Sequence, residues 1–144
     1  MPGVRYPLMI NGVPVVTAPA EIDITIAGQL RVVLHSAARR QPTIVVDMTR
    51  TRFCDSVGLN VLVRAHTQAR AGGGELRLVI PDGGPVSRIF ALTGLDRVIP
   101  VFSSLDVALA PPPATVLRSL RLRPPAVRGL ARQPGPPRSE GVSW

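Results

Sequence analysis

This 144-residue sequence has only one cysteine, no lysine and no long hydrophobic run. Its single cysteine, Cys54, cannot form an internal disulfide bond, and no charged and apolar leader opens the chain, so we expect a cytoplasmic protein. No apolar run approaches the ~18 residues that cross a bilayer, so we expect no membrane span. His35 and His66 fall on separate predicted helices without a cysteine or carboxylate at metal-ligand spacing, and we predict neither a metal nor a cofactor.

Aromatic residues are also scarce, at 3% of the chain, whereas 45% of its residues are hydrophobic. A core of this composition must use valine, isoleucine, leucine and alanine, which is typical of a sheet covered by helices. The length of the chain suits one domain of common size. We therefore predict a single α/β domain.

Positive charge is concentrated towards the end of the chain. Residues 1–110 hold 11 arginines against 8 acidic residues, whereas residues 111–144 hold 6 arginines against Glu140 alone. The second stretch has 8 prolines in 34 residues, so we predict a domain over residues 1–110 and a flexible, disordered tail over residues 111–144. A basic tail could bind nucleic acid non-specifically, but its only aromatic residue is Trp144, and we expect no direct nucleic-acid binding.

Hydrophobic periodicity predicts that strands and helices alternate along the domain. Five strands are predicted near residues 6–10, 13–18, 43–47, 75–80 and 98–101. Four helices are predicted over residues 25–39, 57–71, 85–93 and 104–109. Asn11 and Gly12 predict a hairpin turn between the first two strands. The expected fold is a small mixed sheet of four to five strands with about four helices packed against it.

The stretch DMTRTRFCDSVG, from Asp47 to Gly58, joins a predicted central strand to the second helix. Ser56 lies where the N-cap of that helix is expected, directly after Asp55. Local sequence alone favours a plain capping role for Ser56. A hydroxyl at a helix N-terminus can also carry a phosphate without unfolding the chain, because the free N–H groups and the helix dipole favour negative charge there.

Five short motifs occur in order along the domain: EID at 21–23, VVD at 45–47, FCDSVGL at 53–59, GGELRLV at 73–79 and LTGLDRV at 92–98. Together they resemble the STAS domain of bacterial anti-sigma factor antagonists, over residues 8–110. Each motif is weak alone, whereas the ordered set is specific. Two positions depart from the family pattern: Ala20 stands where glycine is common before the first motif, and Val57 stands where a second serine often follows the acceptor.

The resemblance implies a regulatory switch rather than an enzyme. In that family the serine after the aspartate of the D-S-x-G motif, here Ser56, is phosphorylated by a partner that is both anti-sigma factor and serine kinase. The unphosphorylated form binds this partner and releases a sigma factor, phosphorylation ends the binding, and a phosphoserine phosphatase resets the switch. A STAS-type scaffold or ligand-binding module without a phosphorylation switch is the alternative.

The predicted partner-binding face surrounds the start of the second helix. It comprises Asp23, Asp55, Ser56, Val57, Leu59, Asn60 and Val63. On a helical wheel, the positions that face the sheet are Gly58, Leu62, Ala65 and Ala69. Leu59 and Val63 turn to the flank, where they either contact a partner or are covered by another helix. Asp23 and Asp55 either contact the kinase or order the loop.

Enzymatic alternatives are disfavoured by what surrounds the candidate nucleophiles. The sequence CDSVG around Ser56 lacks the leading glycine of the G-x-S-x-G nucleophile elbow. Receiver domains that accept a phosphoryl group on aspartate resemble one another in a lysine near the site, and this chain has none, so we expect Asp47 to act as a structural cap. Cys54 is interpreted as a small buried hydrophobic residue rather than a redox sensor.

Overall fold

The structure is a computed structural model that describes residues 3–5 and 7–110 of the chain. Its strands are β1 (Leu8–Ile10), β2 (Val13–Thr17), β3 (Glu21–Ile22), β4 (Ile44–Asp47), β5 (Phe53–Cys54), β6 (Leu76–Val79) and β7 (Val101–Phe102). Its helices are α1 (Ile24–Ala38), α2 (Ser56–Ala71), α3 (Pro85–Thr93) and α4 (Leu105–Leu109). The predicted tail, residues 111–144, lies outside the described residues. None of the helices described is both long and apolar enough to cross a bilayer.

The main sheet has five strands in the order β1-β2-β4-β6-β7. β1 is antiparallel to β2, and every other pair is parallel, which confirms the predicted mixed sheet with β4 at its centre. Asn11 and Gly12 adopt φ angles of 53° and 78°, as the predicted hairpin turn requires. β3 and β5 form a separate two-stranded parallel sheet that the sequence did not predict.

Both faces of the main sheet are covered, because successive residues of its inner strands point to opposite sides. Ile44 and Val46 belong to the larger core, which includes residues of α1 and α2. Val45 and Val79 pack on the opposite face with Ala108 of α4. This double covering explains why β4 is a continuous apolar run rather than an alternating one.

The last predicted strand, residues 98–101, was placed too early in the chain. Gly94 ends α3 in the left-handed conformation, with φ of 77°, and Leu95–Arg97 then form a 3₁₀ turn. The N–H groups of Val98 and Ile99 are bonded to the carbonyl oxygen of Leu95 and so cannot join the sheet. Strand β7 therefore begins only at Val101, just after Pro100.

Candidate functional site

The candidate site is built on the small sheet of β3 and β5. Ile22 and Cys54 are partners in its parallel register. The N–H of Asp55 donates to the carbonyl oxygen of Ile22, with an N···O distance of 3.0 Å. One capping residue follows each strand before its helix begins, so α1 and α2 start side by side at the same edge. This arrangement was not predicted from the sequence, because two-residue strands show no periodic pattern.

Asp23 is the N-cap of α1. Its Oδ1 accepts hydrogen bonds from the N–H groups of Thr25 and Ile26, at 3.0 and 3.2 Å, and from the Thr25 hydroxyl at 2.6 Å. The hydrogen bond from the Thr25 hydroxyl is the largest cause that lowers the pKa of Asp23; partial burial opposes it, and the backbone donors add to the lowering. This carboxylate orders the loop, which was one of the two roles predicted for it.

Asp55 is the N-cap of α2, and the predicted capping position of Ser56 was wrong by one residue. The Oδ1 of Asp55 accepts from the N–H of Gly58 at 2.9 Å, while its carbonyl oxygen accepts from the N–H of Leu59 at 2.9 Å. Pairing of β5 ends at Cys54, which leaves Asp55 in the extended conformation that an N-cap needs. Ser56 is consequently the first helical residue, and its hydroxyl is not used for capping.

Gly58 lets α2 approach the small sheet closely. A Cβ atom added there would lie 2.7 Å from Cγ2 of Ile22 and 2.9 Å from Sγ of Cys54. No other residue type fits at this position without displacing buried neighbours. The close approach fixes where the first turn of α2, with Ser56, lies relative to the start of α1.

The predicted partner-binding residues differ in exposure. Ser56, Val57 and Asn60 are exposed, whereas Asp23 and Asp55 are partly buried by their capping roles. Leu59 and Val63 are also partly buried and pack against the main core. They are therefore neither fully exposed to a partner nor fully covered by another helix, which were the two alternatives for them. The structure therefore places the freely accessible part of this face on the first helical turn.

The helical wheel predicted most of the buried side of α2. Gly58, Leu62 and Ala69 are buried, whereas Ala65 is only partly so. Val61 and His66 are also buried and were not predicted: Val61 lies beside Leu34 of α1, whereas His66 lies against Leu76 of β6 at the other edge of the buried stripe.

Two exposed apolar residues beside Ser56 were also missed. Ile24 and Phe53 keep 69% and 47% of their surface exposed, and Val57 keeps 39%. Ile24 lies two residues after the end of β3, and Ser56 lies two residues after the end of β5. Because the ends of these two strands are paired, Ile24 and Ser56 lie at neighbouring positions. The sequence feature that could have predicted the exposed Ile24 is a hydrophobic residue directly after a capping aspartate, as in Asp23-Ile24.

Cys54 and Asp47 serve the local structure. Cys54 is 3% exposed, and burial, with the adjacent charge of Asp55, raises the pKa of its thiol to about 12. Asp47 Oδ1 accepts hydrogen bonds from the N–H and hydroxyl groups of Thr49, which matches its predicted role as a cap. Ala20 fits the turn without strain, since among the described residues Asn11 is the non-glycine residue with positive φ.

No group of three or more histidine, cysteine and acidic side chains is close enough to hold a metal ion within residues 3–5 and 7–110. His35 is exposed on α1. His66 is buried, and its Nδ1 accepts a hydrogen bond from the N–H of Leu76 at 3.2 Å. One histidine is therefore exposed on α1, and the other is buried on α2 against β6.

Comparison with known proteins gives consistent matches. The anti-sigma-F factor antagonist RsfB of Mycobacterium tuberculosis is 34% identical over 100 residues, which are 69% of this chain and 80% of RsfB. The anti-sigma F factor antagonist of Paenibacillus polymyxa is 27% identical over 96 residues, covering 65% of this chain and 81% of that protein. A crystal structure of an anti-sigma factor antagonist from Mycobacterium paratuberculosis superposes with a TM-score of 0.63 at 29% identity, covering 82% of this chain and 93% of that one.

The family model for the STAS domain matches residues 9–108. That range includes both helix caps, the exposed first turn of α2 and all five strands of the main sheet except the first residue of β1. The match covers more than half of the sequence, and the fold agrees with it. The chain belongs to the STAS domain family.

Proposed function

We propose that this chain is an anti-sigma factor antagonist that is switched by phosphorylation of Ser56. In the unphosphorylated form it binds an anti-sigma factor with serine kinase activity, and a sigma factor is released. Phosphorylation of Ser56 ends that binding, and a phosphoserine phosphatase restores it. The names of the relatives from Mycobacterium tuberculosis and Paenibacillus polymyxa support the antagonist role.

The observation that carries the switch is the exposure of Ser56 at the first position of α2. Asp55 performs the capping that the serine would otherwise perform. The serine hydroxyl is therefore accessible to a kinase, and its modification removes no hydrogen bond that holds the helix. The positive end of the α2 dipole also tolerates added negative charge, so the phosphorylated form stays folded.

The surroundings of Ser56 suit a protein partner better than a small substrate. Ile24, Phe53 and Val57 present apolar surface, while the partly exposed carboxylates of Asp23 and Asp55 lie at the adjacent helix starts. Apolar patches of this kind, flanked by charge, are typical of protein-binding surfaces. We therefore assign the chain a binding role without catalysis of its own.

The charge of a phosphate is sufficient to break such an interface. Phosphoserine adds about −1.5 to −2 charges at neutral pH. Asp55 already places a negative charge next to it. Burying this group unpaired against the partner costs about 2 to 5 kcal/mol. The corresponding loss of affinity is about 30-fold to several thousandfold, which is an on/off response.

The phosphorylation is tested by incubating the protein with purified candidate anti-sigma factor kinases and ATP, followed by measurement of intact mass. The wild type is expected to gain one phosphate, and Ser56→Ala to gain none. Ser36→Ala is the matched control, because Ser36 is an exposed helical serine far along α1. An unchanged mass gain in Ser56→Ala would eliminate Ser56 as the acceptor.

The consequence for binding is tested separately by titrating the same kinase with Ser56→Asp, Ser56→Ala and the wild type. We expect Ser56→Asp to bind at least about tenfold more weakly. Ser56→Ala should retain most of the affinity, because it adds no charge. Equal affinity of Ser56→Asp, Ser56→Ala and fully phosphorylated wild type would favour a STAS scaffold without a phosphorylation switch.

A further inference from the structure

A cleft of about 270 Å³ lies between α1 and α2, and none of its lining residues belongs to the predicted partner-binding face. Arg31 and His35 of α1 and Arg64 of α2 provide its polar walls. Its apolar part is formed by Leu34, Val61 and Ala65. The cleft therefore combines positive groups from both helices with a hydrophobic floor.

The positive charge of this cleft is not balanced by nearby acidic residues. The sequence has no aspartate or glutamate between Asp23 and Asp47, and none between Asp55 and Glu75. Within residues 3–5 and 7–110, the ion pair that forms is Arg77 with Glu75, on strand β6 and the residue before it. Arg31 and Arg64 consequently have no carboxylate partner among the described residues.

Stabilisation of the helix dipoles does not account for these side chains. Basic residues favour helices when they lie in the last turn, and Arg70 of α2 is such a residue. Arg31 and Arg64 lie near the middle of their helices, where that effect has decayed. Their charge is therefore available to a molecule outside the domain.

The positive surface continues beyond the first cleft. A second cleft of about 230 Å³ shares Gln68 with the first and is lined by Arg39 and Arg40 at the end of α1. Together the two clefts form a groove, here called the basic groove, along the α1 and α2 pair. An elongated groove of this kind fits a chain segment better than a single small ion.

The lining of the basic groove selects among anionic partners. Neither cleft is lined by phenylalanine, tyrosine or tryptophan, the large aromatic side chains on which the bases of single-stranded nucleic acids stack. The apolar residues Leu34 and Val61 keep only 2% and 9% of their surface exposed, so the accessible part of the first cleft is provided mainly by its arginines. Arginine guanidinium groups bind carboxylates in a bidentate way. We propose that the basic groove binds an acidic segment of a partner protein, with its carboxylates on Arg31 and Arg64.

This interaction is independent of the Ser56 switch. Arg64 lies eight residues after Ser56 on α2, which corresponds to about 12 Å along the helix axis. That separation exceeds the Debye length of about 8 Å at physiological ionic strength, so a phosphate on Ser56 is largely screened from the groove. The groove can therefore be occupied in both states of the switch.

The test uses a labelled peptide of about 12 residues, long enough for helical turns, in which glutamate and leucine follow a helical repeat. The matched peptide has glutamine in place of every glutamate. Fluorescence anisotropy is measured with the full chain at about 0.15 M salt. The variants are the double substitution Arg31→Gln and Arg64→Gln, the single substitution Ser56→Asp, and the control Arg88→Gln, which removes an exposed arginine of α3 outside the groove.

We expect saturable binding of the acidic peptide, at least about tenfold weaker binding by the double variant, and changes below about twofold for Arg88→Gln and Ser56→Asp. The glutamine peptide should bind at least about tenfold more weakly than the acidic one. Absence of saturable binding up to about 1 mM, or an equal loss in Arg88→Gln, would overturn the proposal. A single-stranded oligonucleotide that binds more tightly than the peptide and is released by the double variant would also overturn it, and would assign the groove to nucleic acid.

Discussion

A Cβ atom at Gly58 would lie 2.7 Å from Cγ2 of Ile22, which shows how tightly α2 is seated on the small sheet. Ile22 is fully buried, and Cys54 closes the other side of the same contact, so neither neighbour can move without disturbing the core. The position of the candidate switch is set by this contact, because Ser56 lies only two residues earlier.

Gly58→Ala is therefore expected to lower the free energy of unfolding by about 1 to 3 kcal/mol, as overpacking does in well-packed cores. Gly28→Ala is the matched control. Gly28 also lies inside a helix, but apart from the adjacent backbone of its own helix no atom lies within 4 Å of the Cβ that would be added, so this change should stabilise the protein by about 0.5 to 1 kcal/mol. Urea denaturation measures both. Stabilisation by Gly58→Ala would contradict the close contact.

The assignment of the α2 cap leads to a second prediction. Asp55→Ala should cost about 0.5 to 2 kcal/mol, because the N–H of Gly58 loses its acceptor. Asp55→Asn keeps a side-chain oxygen and should cost less. Ser56→Ala should change stability by less than about 0.5 kcal/mol. Thermal and urea denaturation distinguish these cases, and a larger loss for Ser56→Ala than for Asp55→Ala would restore Ser56 as the cap.

This cap illustrates which features the sequence could predict. The long helices and the central strand were predicted within one or two residues, because their apolar patterns extend over several turns or a whole buried strand. Asp55 and Ser56 are adjacent, both are good capping residues, and only the pairing of β5 with β3 decides between them. Local sequence carries no information on that pairing.

The end of the domain was less predictable for a related reason. Val98, Ile99 and Val101 have the composition of a strand, but backbone bonds to Leu95 hold the first two in a turn. The basic groove depends on two helices that are far apart in sequence. Its charges could be counted in the sequence, yet their convergence required the packing of α1 on α2.

His66 gives a prediction for the dependence of stability on pH. Burial, and then the positive charge of Arg70, lower the pKa of His66, although Glu75 and a hydrogen bond with the Val98 backbone oppose this. Below the unfolded pKa of about 6.5 the unfolded chain binds more protons at this position than the folded protein. The stabilising contribution is therefore complete above that pH and is lost as the pH falls.

His66→Asn should reduce this pH dependence, because its side-chain oxygen can accept from the N–H of Leu76 without titrating. His35→Asn is the control, since His35 is exposed. Unfolding free energies are measured by urea denaturation from pH 5 to 8, a range that spans histidine titration. An identical pH profile for His66→Asn and the wild type would show that His66 is not the responsible group.

The buried thiol of Cys54 should be unreactive in the native protein. With a pKa of about 12, on the order of 1 in 10,000 of the thiols is ionised at pH 8, and its 3% exposure blocks reagents as well. We expect no alkylation by iodoacetamide over the time in which the urea-denatured chain reacts completely. Mass spectrometry reads out both samples. Rapid alkylation of the folded protein would mean that β5 opens easily and would weaken the hydrophobic interpretation of Cys54.

Arg77 ties α4 to the sheet and gives the last prediction. Its Nε donates to Glu75 at 2.8 Å, its Nη1 donates to the carbonyl oxygen of Ala108 at 2.9 Å, and its guanidinium lies 5.8 Å from the centre of the Phe102 ring. A lysine keeps the charge but has one nitrogen in place of the guanidinium fork, in which Nε and Nη1 each make one of the two hydrogen bonds. Arg77→Lys is therefore expected to lower the free energy of unfolding by about 1 to 2 kcal/mol, whereas Arg88→Lys, on the exposed side of α3, should leave it unchanged within about 0.5 kcal/mol. Equal stability of the two variants in urea denaturation would show that α4 is held to the sheet by its apolar contacts with Val45 and Val79 alone.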